Sequence, residues 1–311
     1  MKYPMNNQNG KQSSQSEQSC QSTQSYLCRS FLLIVKEKNE QAYELAKNIK
    51  AWLEEKKLSA TIIPAFLPEE QLLEYTPNHD LAIVLGGDGT ILGVSRRMYK
   101  KPLPLIGINF GKVGFLADIS PEKWKECLTK LLAGEYNVHK VTPLHFDHFR
   151  DDKIIHSGIA MNDVVISRGA VAKSIFIKLA IDDIFITDLH CDGLICSSPL
   201  GTTAYTASAH GPLTFPTLDA HILTPISPFA GSFSPLVMPK ESTIKIKCLE
   251  DRETFITVDG QDSHAVLMND IICVKSAEHK ISLLVSDTRW FWKRLRERGF
   301  ILPGPGKYTV S

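Results

Sequence analysis

Two textures of hydrophobic and polar positions divide the chain. From Phe31 to about residue 141, short unbroken apolar runs alternate with stretches in which apolar residues recur every three or four positions. Phe31-Leu32-Leu33-Ile34-Val35, Thr61-Ile62-Ile63, Leu81-Ala82-Ile83-Val84-Leu85 and Leu103 to Ile108 predict buried strands. Ala42, Leu45, Ala46, Ile49 and Leu53 mark one face of a helix, with Lys and Glu between them. Ser120 as N-cap, Pro121 at the first helical position, an apolar face of Trp124, Cys127, Leu128 and Leu131, and a closing Gly134 predict another. This alternation predicts an α/β domain over 29–141, with a doubly wound parallel sheet.

From Leu144 to Val285 the segments become short, alternating and rich in Ile, Val, Phe and Thr, as in Thr243-Ile244-Lys245-Ile246-Lys247. They predict an all-β, antiparallel domain over 142–286, with a hairpin turn at Asp259-Gly260. Residues 287–311 include a basic helix from Trp290 to Arg298, expected to pack back on the first domain. Residues 1–28 are rich in Ser, Gln and Asn, and too poor in apolar residues to offset their ordering entropy. They are expected to be disordered, without an apolar signal segment and without a part in catalysis.

Composition narrows the class. The chain has 311 residues, 43% hydrophobic and 22% charged, the balance of a globular protein. A net charge of +1 gives no bulk attraction to nucleic acid or to a membrane surface. No apolar run approaches the roughly 20 residues of a membrane span. Seven scattered cysteines without a C-x-x-C pair point to reduced thiols and a cytoplasmic setting. Cys191 and Cys196 read as small buried strand residues. His145 and His148 lie on opposite faces of a strand, which favours packing over metal binding, and His79 is expected at the surface.

Candidate chemistry begins at Gly86-Gly87-Asp88-Gly89-Thr90, where the strongest apolar run breaks and a helix opens at Thr90. A strand, a glycine turn and a helix N-terminus gather backbone N–H groups for a phosphate. Asp88 would repel that phosphate unless it binds Mg²⁺ or takes a proton from an attacking hydroxyl. The alternative is an ordinary Gly-Asp-Gly turn. Asp192 to Tyr205 joins a carboxylate, several hydroxyls and an aromatic ring, groups that suit a ribose and a flat base. Asn162-Asp163 interrupts a strand pattern as either a β-bulge or a ligand contact. Gly107, Gly111 and Gly114 do not form G-x-G-x-x-G, which argues against a dehydrogenase.

These three pieces, in this order and spacing, resemble the NAD kinase family, as do Asn109 to Leu116 and Asp259-Gly260-Gln261. The likeness runs from about residue 30 to 300. The glycine motif is shared with lipid kinases. The Ser-Pro-x-Gly-Thr-Thr-Ala-Tyr run is far more specific. The resemblance implies phosphorylation of the adenosine ribose 2′-hydroxyl of NAD by ATP, giving NADP. It implies Mg²⁺ carried mainly by the ATP phosphates, a phosphate-binding α/β domain, an NAD-binding β-sandwich and a homo-oligomer in which a neighbouring subunit can complete the NAD site.

By the same resemblance Asp88 is the catalytic base, and Gly86, Gly87, Gly89 and Thr90 form the phosphate turn. Asn162 and Asp163 hold the adenosine, though many members carry Glu at the second position. Phe115, Thr203, Ala204 and Tyr205 line the base pockets. Asp192 and Ser208 make polar contacts with the dinucleotide, as do Lys173 and Gln261 less uniformly. His190 stands where many members have Arg, Leu200 where Thr is usual, His210 where Gly is usual, and Phe229 where His is common. Two other readings stay open: a lipid kinase of the diacylglycerol or sphingosine type, and a non-catalytic NAD or NADP sensor.

Overall fold

The computed structural model describes residues 28–111, 114–170, 173–231, 233–285, 287 and 289–301. The extension expected to be disordered lies, up to residue 27, outside the described residues.

The first domain is built on one six-stranded sheet. Its strands are β1 (Ser30–Val35), β2 (Ser59–Pro64), β3 (Leu81–Gly86), β4 (Leu105–Asn109), β5 (Asn137–Val141) and, after the whole second domain, β18 (Ile281–Val285). The order is β2-β1-β3-β4-β18-β5, parallel throughout except that β5 runs antiparallel to β18. Helices α1 (Glu40–Glu55) and α4 (Trp124–Leu132) cover one face, against Phe31, Leu33, Leu81, Ile83 and Leu85. Helices α2 (Glu69–Tyr75) and α3 (Asp88–Arg97) cover the other, against Leu32, Ile34, Ala82 and Val84. Burial on both faces is why these strands read as unbroken apolar runs. Asn39 caps α1, accepting the Ala42 N–H at 3.0 Å.

The second domain is a sandwich of two antiparallel six-stranded sheets. Its strands are β6 (Leu144–Arg150), β7 (Lys153–Ala160), β8 (Asp163–Arg168), β9 (Ile175–Ile181), β10 (Ile184–Cys191), β11 (Gly193–Ser197), β12 (Ala220–Ile226), β13 (Leu236–Pro239), β14 (Ile244–Cys248), β15 (Thr254–Val258), β16 (Asp262–Val266) and β17 (Ile271–Ser276). The sheet orders are β10-β9-β14-β17-β6-β7 and β13-β12-β11-β8-β15-β16. Alternate residues of both sheets, among them Ile177, Leu179, Ile246, Val164, Leu194 and Ile256, meet in one core. A short helix α5 (Tyr205–Ser208) follows β11, and α6 (Trp290–Glu297) ends the described chain. Helix α6 buries Trp290, Phe291 and Leu295 against Phe115 and Val285 of the first domain. Among the described residues no helix is long and apolar enough to cross a membrane.

Several expectations shift. The chain rejoins the first sheet at Ile281, ahead of the expected change at 286, because β18 finds its partners in β4 and β5. Helix α3 opens at Asp88, with Gly87 as its N-cap, two residues before Thr90. The helix after Ser120 begins with a 3₁₀ turn over Pro121–Lys123, and the Ser120 side chain makes no cap bond. His79 is half-buried, its ring nitrogens 2.7 Å from the Tyr75 carbonyl and 3.0 Å from Thr61 Oγ1. Cys191 and Cys196 are buried strand residues, and His148 is buried against Asp270 at 2.8 Å.

Candidate functional site

Strand β3 ends in Gly86, where a Cβ would overlap the Thr90 side chain; glycine there lets the helix turn back tightly. Asp88 is the first residue of α3. Its carboxylate accepts three consecutive backbone N–H groups: Phe115 to Oδ2 at 2.6 Å, then Leu116 and Ala117 to Oδ1 at 3.0 and 3.1 Å. A Cβ on Gly114 would overlap this carboxylate, so the segment approaches so closely only because residue 114 is glycine.

Beside the turn is a cavity of about 510 Å³, lined by Lys36, Phe66, Gly87, Gly89, Thr90 and Arg97 among others. Lys36 follows β1 at the carboxyl end of the parallel sheet, where open α/β sheets bind ligands. Gly89, Gly93, Arg96 and Arg97 share one face of α3 by helical spacing. Arg97 donates Nη2 to the Ala65 carbonyl at 2.5 Å, and its Nε is buried without a partner among the described residues. Burial lowers the Arg97 pKa from its ordinary value.

A second cavity, of about 340 Å³, is lined by Asn162, Asp163, Ala204, Tyr205, Asp259 and Gly260 with their neighbours. Asn162-Asp163 is the bend where the chain leaves β7 in one sheet and enters β8 in the other, which explains two polar residues inside a strand pattern. Asp259 fixes that bend. Its carboxylate accepts the N–H groups of Met161 at 3.0 Å, Asn162 at 2.7 Å and Asp163 at 3.1 Å. Gly201 lies so close to the Asn162 backbone that a Cβ would overlap it, and Ser198 Oγ donates to the Met161 carbonyl at 2.5 Å. The Ser-Pro-x-Gly run is thus packed directly onto the bend. Asp163 is buried and its carboxyl is pushed up to about 7, chiefly by burial and then by the charge of Asp259, against a hydrogen bond from the Tyr205 N–H.

The Asp259-Gly260-Gln261 turn between β15 and β16 is the wall between the two cavities. Asp259 and Gly260 face one, Gln261 the other. Both Asp259 and Gly260 have positive φ, 49° and 63°, as a tight hairpin turn requires. Gln261 Nε2 donates to the Gly89 carbonyl at 2.9 Å, and its Oε1 accepts from Arg96 Nη2 at 3.0 Å. Arg96 also pairs with Asp262 at 2.8 Å and lies 3.7 Å from Asp259. The turn therefore ties the sandwich to the start of α3.

Not every candidate converges there. The Phe115 ring packs beneath α6, with centroids 5.8 Å from Phe300 and 6.4 Å from Phe291. Thr203 is half-buried just before α5, and Ser208 is exposed at its end. Asp192 forms an ion pair with Arg168 at 3.1 Å. His190 stacks on Phe176 at 4.0 Å, with Phe229 at 5.5 Å. Lys173 is exposed just before β9. Along β11, Gly193 pairs with Ser167 and Ser197 with Asp163. Asp192 is therefore about five residues, roughly 16 Å, from the Asp163 end.

Lys36, Arg96, Arg97 and Asp259 join the site without having been singled out in the sequence as binding residues. The shared helix face with Gly89 would have found both arginines. Among the described residues no group of three or more His, Cys, Asp or Glu could hold a metal ion.

With the geometry in view, the chain compares as follows. Residues 31–136 match the ATP-NAD kinase N-terminal domain and residues 161–286 the ATP-NAD kinase C-terminal domain. The chain is 38% identical over 275 residues to an NAD kinase of Nitratidesulfovibrio vulgaris (strain DSM 19637 / Miyazaki F), covering 88% of this chain and 97% of that one. It is 35% identical over 271 residues to an NAD kinase of Lawsonia intracellularis, covering 87% and 95%. An Archaeoglobus fulgidus NAD kinase solved in complex with ATP superposes with a TM-score of 0.69 at 26% identity, over 85% of this chain and 96% of that one. Yeast NADH kinase, solved with NADH, shares the fold at a TM-score of 0.78 and 23% identity, over 92% and 91%.

Proposed function

The chain belongs to the ATP-NAD kinase family and is an NAD kinase enzyme; from that premise we propose that it moves the terminal phosphoryl group of ATP to the 2′-hydroxyl of the adenosine ribose of NAD, with Asp88 taking the proton. One observation carries this reading. The two cavities share the Asp259–Gln261 turn as a wall, and Asp88 sits between Gly87 and Gly89 on the phosphate side of that wall.

Phosphoryl transfer is mostly positioning and charge stabilisation. The triphosphate would lie in the larger cavity, on the N–H groups at the start of α3, with Lys36 and Arg97 offsetting its charge. The adenosine would lie against Asn162, Asp163, Ala204 and Tyr205. The carboxylate of Asp88 has about four lone-pair sites, of which three accept backbone N–H groups. Among the described residues nothing takes the fourth, on Oδ2, which would receive the 2′-hydroxyl. As the hydroxyl proton passes to Oδ2, the oxygen forms a bond to the terminal phosphorus. The bond to the bridging oxygen breaks and ADP leaves.

Mg²⁺ belongs to the same reading: carried on the triphosphate, it would neutralise phosphate charge. A homo-oligomer belongs to the same reading. Asp192 stands at the far end of β11, with Lys173 just before β9 and His190 on β10 of the other sheet, and these would reach a dinucleotide from a neighbouring copy.

The test is NADP formation from NAD, ATP and Mg²⁺, followed through a coupled NADP-specific dehydrogenase, with Asp88→Asn alongside. Product from the parent chain and almost none from the variant is expected. Tight dinucleotide binding without any product would point to a sensor instead.

A further inference from the structure

The segment that holds Asp88 is itself held from its other side. Phe115, Leu116 and Ala117 turn their N–H groups to the Asp88 carboxylate. The carbonyls of Ala117 and Asp118 accept from a single guanidinium nitrogen, Arg294 Nη2, at 3.5 and 3.0 Å. The Asp118 carboxylate lies 3.2 Å from the same nitrogen, and Arg294 Nη1 donates to Glu297 at 2.7 Å. The Arg294 and Asp118 side chains are only 11% and 12% exposed, so solvent does little to weaken these bonds. At the next residue, Ile119 is bridged to Ile108 of β4. Between Gly114 and Ile119 the backbone is strung from α3, α6 and the first sheet at once.

Arg294 is not the main anchor of α6 by buried area. Trp290, Phe291 and Leu295 are 3%, 2% and 2% exposed and already seat the helix in its own apolar cluster. The bonds from Arg294 reach past that cluster to the backbone that orients Asp88. The guanidinium divides its donors, Nη2 to this segment and Nη1 to Glu297 of its own helix, a division a single ammonium could not reproduce.

We propose that Arg294 is a positioning residue for phosphoryl transfer: by gripping the carbonyls of Ala117 and Asp118 it fixes the segment whose N–H groups aim the Asp88 carboxylate at the acceptor hydroxyl. This inference rests on Asp88 as the proton acceptor. Three N–H bonds set the direction of the remaining lone pair on Oδ2, so a shift in the segment becomes a shift in the aim of the base. A misplacement of about 1 Å can cost about 10² in rate. Arg294 touches neither cavity lining, so its loss should spare substrate affinity.

The experiment compares Arg294→Ala, Arg294→Lys and Asp88→Asn in the coupled NADP assay on the full chain, with melting temperatures measured in parallel. Arg294→Ala is expected to lower kcat roughly 10- to 100-fold while leaving KM for NAD within about twofold. Arg294→Lys should recover part of the loss, since one ammonium can still reach one carbonyl. If the alanine variant does not fold, Arg294→Lys and Arg294→Gln, which each keep a donor, carry the same kcat-against-KM test. A folded Arg294→Ala with the parent kcat, or a loss confined to KM, overturns the inference. Asp88→Asn separates the two readings. Inactive Asp88→Asn beside a fully active Arg294→Ala sinks the clamp alone, whereas full turnover from Asp88→Asn sinks the base and the clamp together.

Discussion

Asp88 and Asp259 perform the same backbone chemistry in two domains, and the comparison separates a reagent from a fastener. Each carboxylate accepts three successive N–H groups, one on Oδ2 and two on Oδ1. Asp259 is sealed, with a side-chain exposure of 0% and Arg96 3.7 Å away. Its carboxyl is raised above the ordinary value, burial being the largest cause, against the pull of the three N–H groups and of Arg96. Asp88 is half-buried between Gly87 and Gly89, which line the larger cavity, with no cation paired to it among the described residues. A triple N–H cradle is therefore no mark of catalysis. Access and the missing counter-charge distinguish the group that could meet a substrate from the group that only holds a bend in place.

The sharpest way to break this comparison is to neutralise each carboxylate in turn. Asp88→Asn should lower kcat by about 10² to 10⁴, the usual worth of a general base, with its melting temperature nearly unchanged. Near-parent turnover would reduce Asp88 to a second fastener. Asp259→Ala should instead cost about 3 to 5 kcal/mol of stability, because it strands three buried N–H groups and part of the Arg96 charge. Urea unfolding measures this, and an unshifted midpoint would contradict the structural role. Gly114→Ala pushes a methyl into the Asp88 carboxylate and should cut kcat by about tenfold through misaim. A fully active variant would show that the cradle tolerates displacement.

The smallest effect is a pH dependence. Native Asp163 holds its proton up to about 7, well above the unfolded carboxyl. Between the ordinary carboxylate range and about pH 7 the native state thus binds more protons than the unfolded one. This group's contribution therefore falls as pH rises through that window. Asp163→Asn should flatten that part of the stability profile in thermal melts across the same range. An unchanged slope would mean that Asp163 ionises as an ordinary surface carboxyl.

Much of this was legible in the chain itself. Unbroken runs such as Leu81–Leu85 gave strands buried on both faces, and Asp259-Gly260 gave its hairpin. What Asp259 does with its carboxylate was not legible, because its partners lie 96 to 98 residues away in sequence. Arg96 was not legible either, because its partners Val258, Gln261 and Asp262 lie more than 160 residues away in sequence. The packing of the Phe115 ring beneath α6 was not legible, being a contact over more than 170 residues that no local pattern encodes. Asn162-Asp163 was ambiguous for a physical reason. A crossing between two sheets has the same polar interruption as a bulge.

The late return of β18 to the first sheet has a consequence in time. Among the described residues β5 pairs only with β18, and β18 separates it from β4. During synthesis the first domain therefore waits, with β4 as a bare edge and β5 unpaired, until residue 285 has emerged behind the entire sandwich. Contacts that close so large a loop are slow to form, and an open parallel edge is prone to wrong partners meanwhile. The order in which this chain leaves the ribosome thus makes synthesis of the whole sandwich a precondition for completing the first domain.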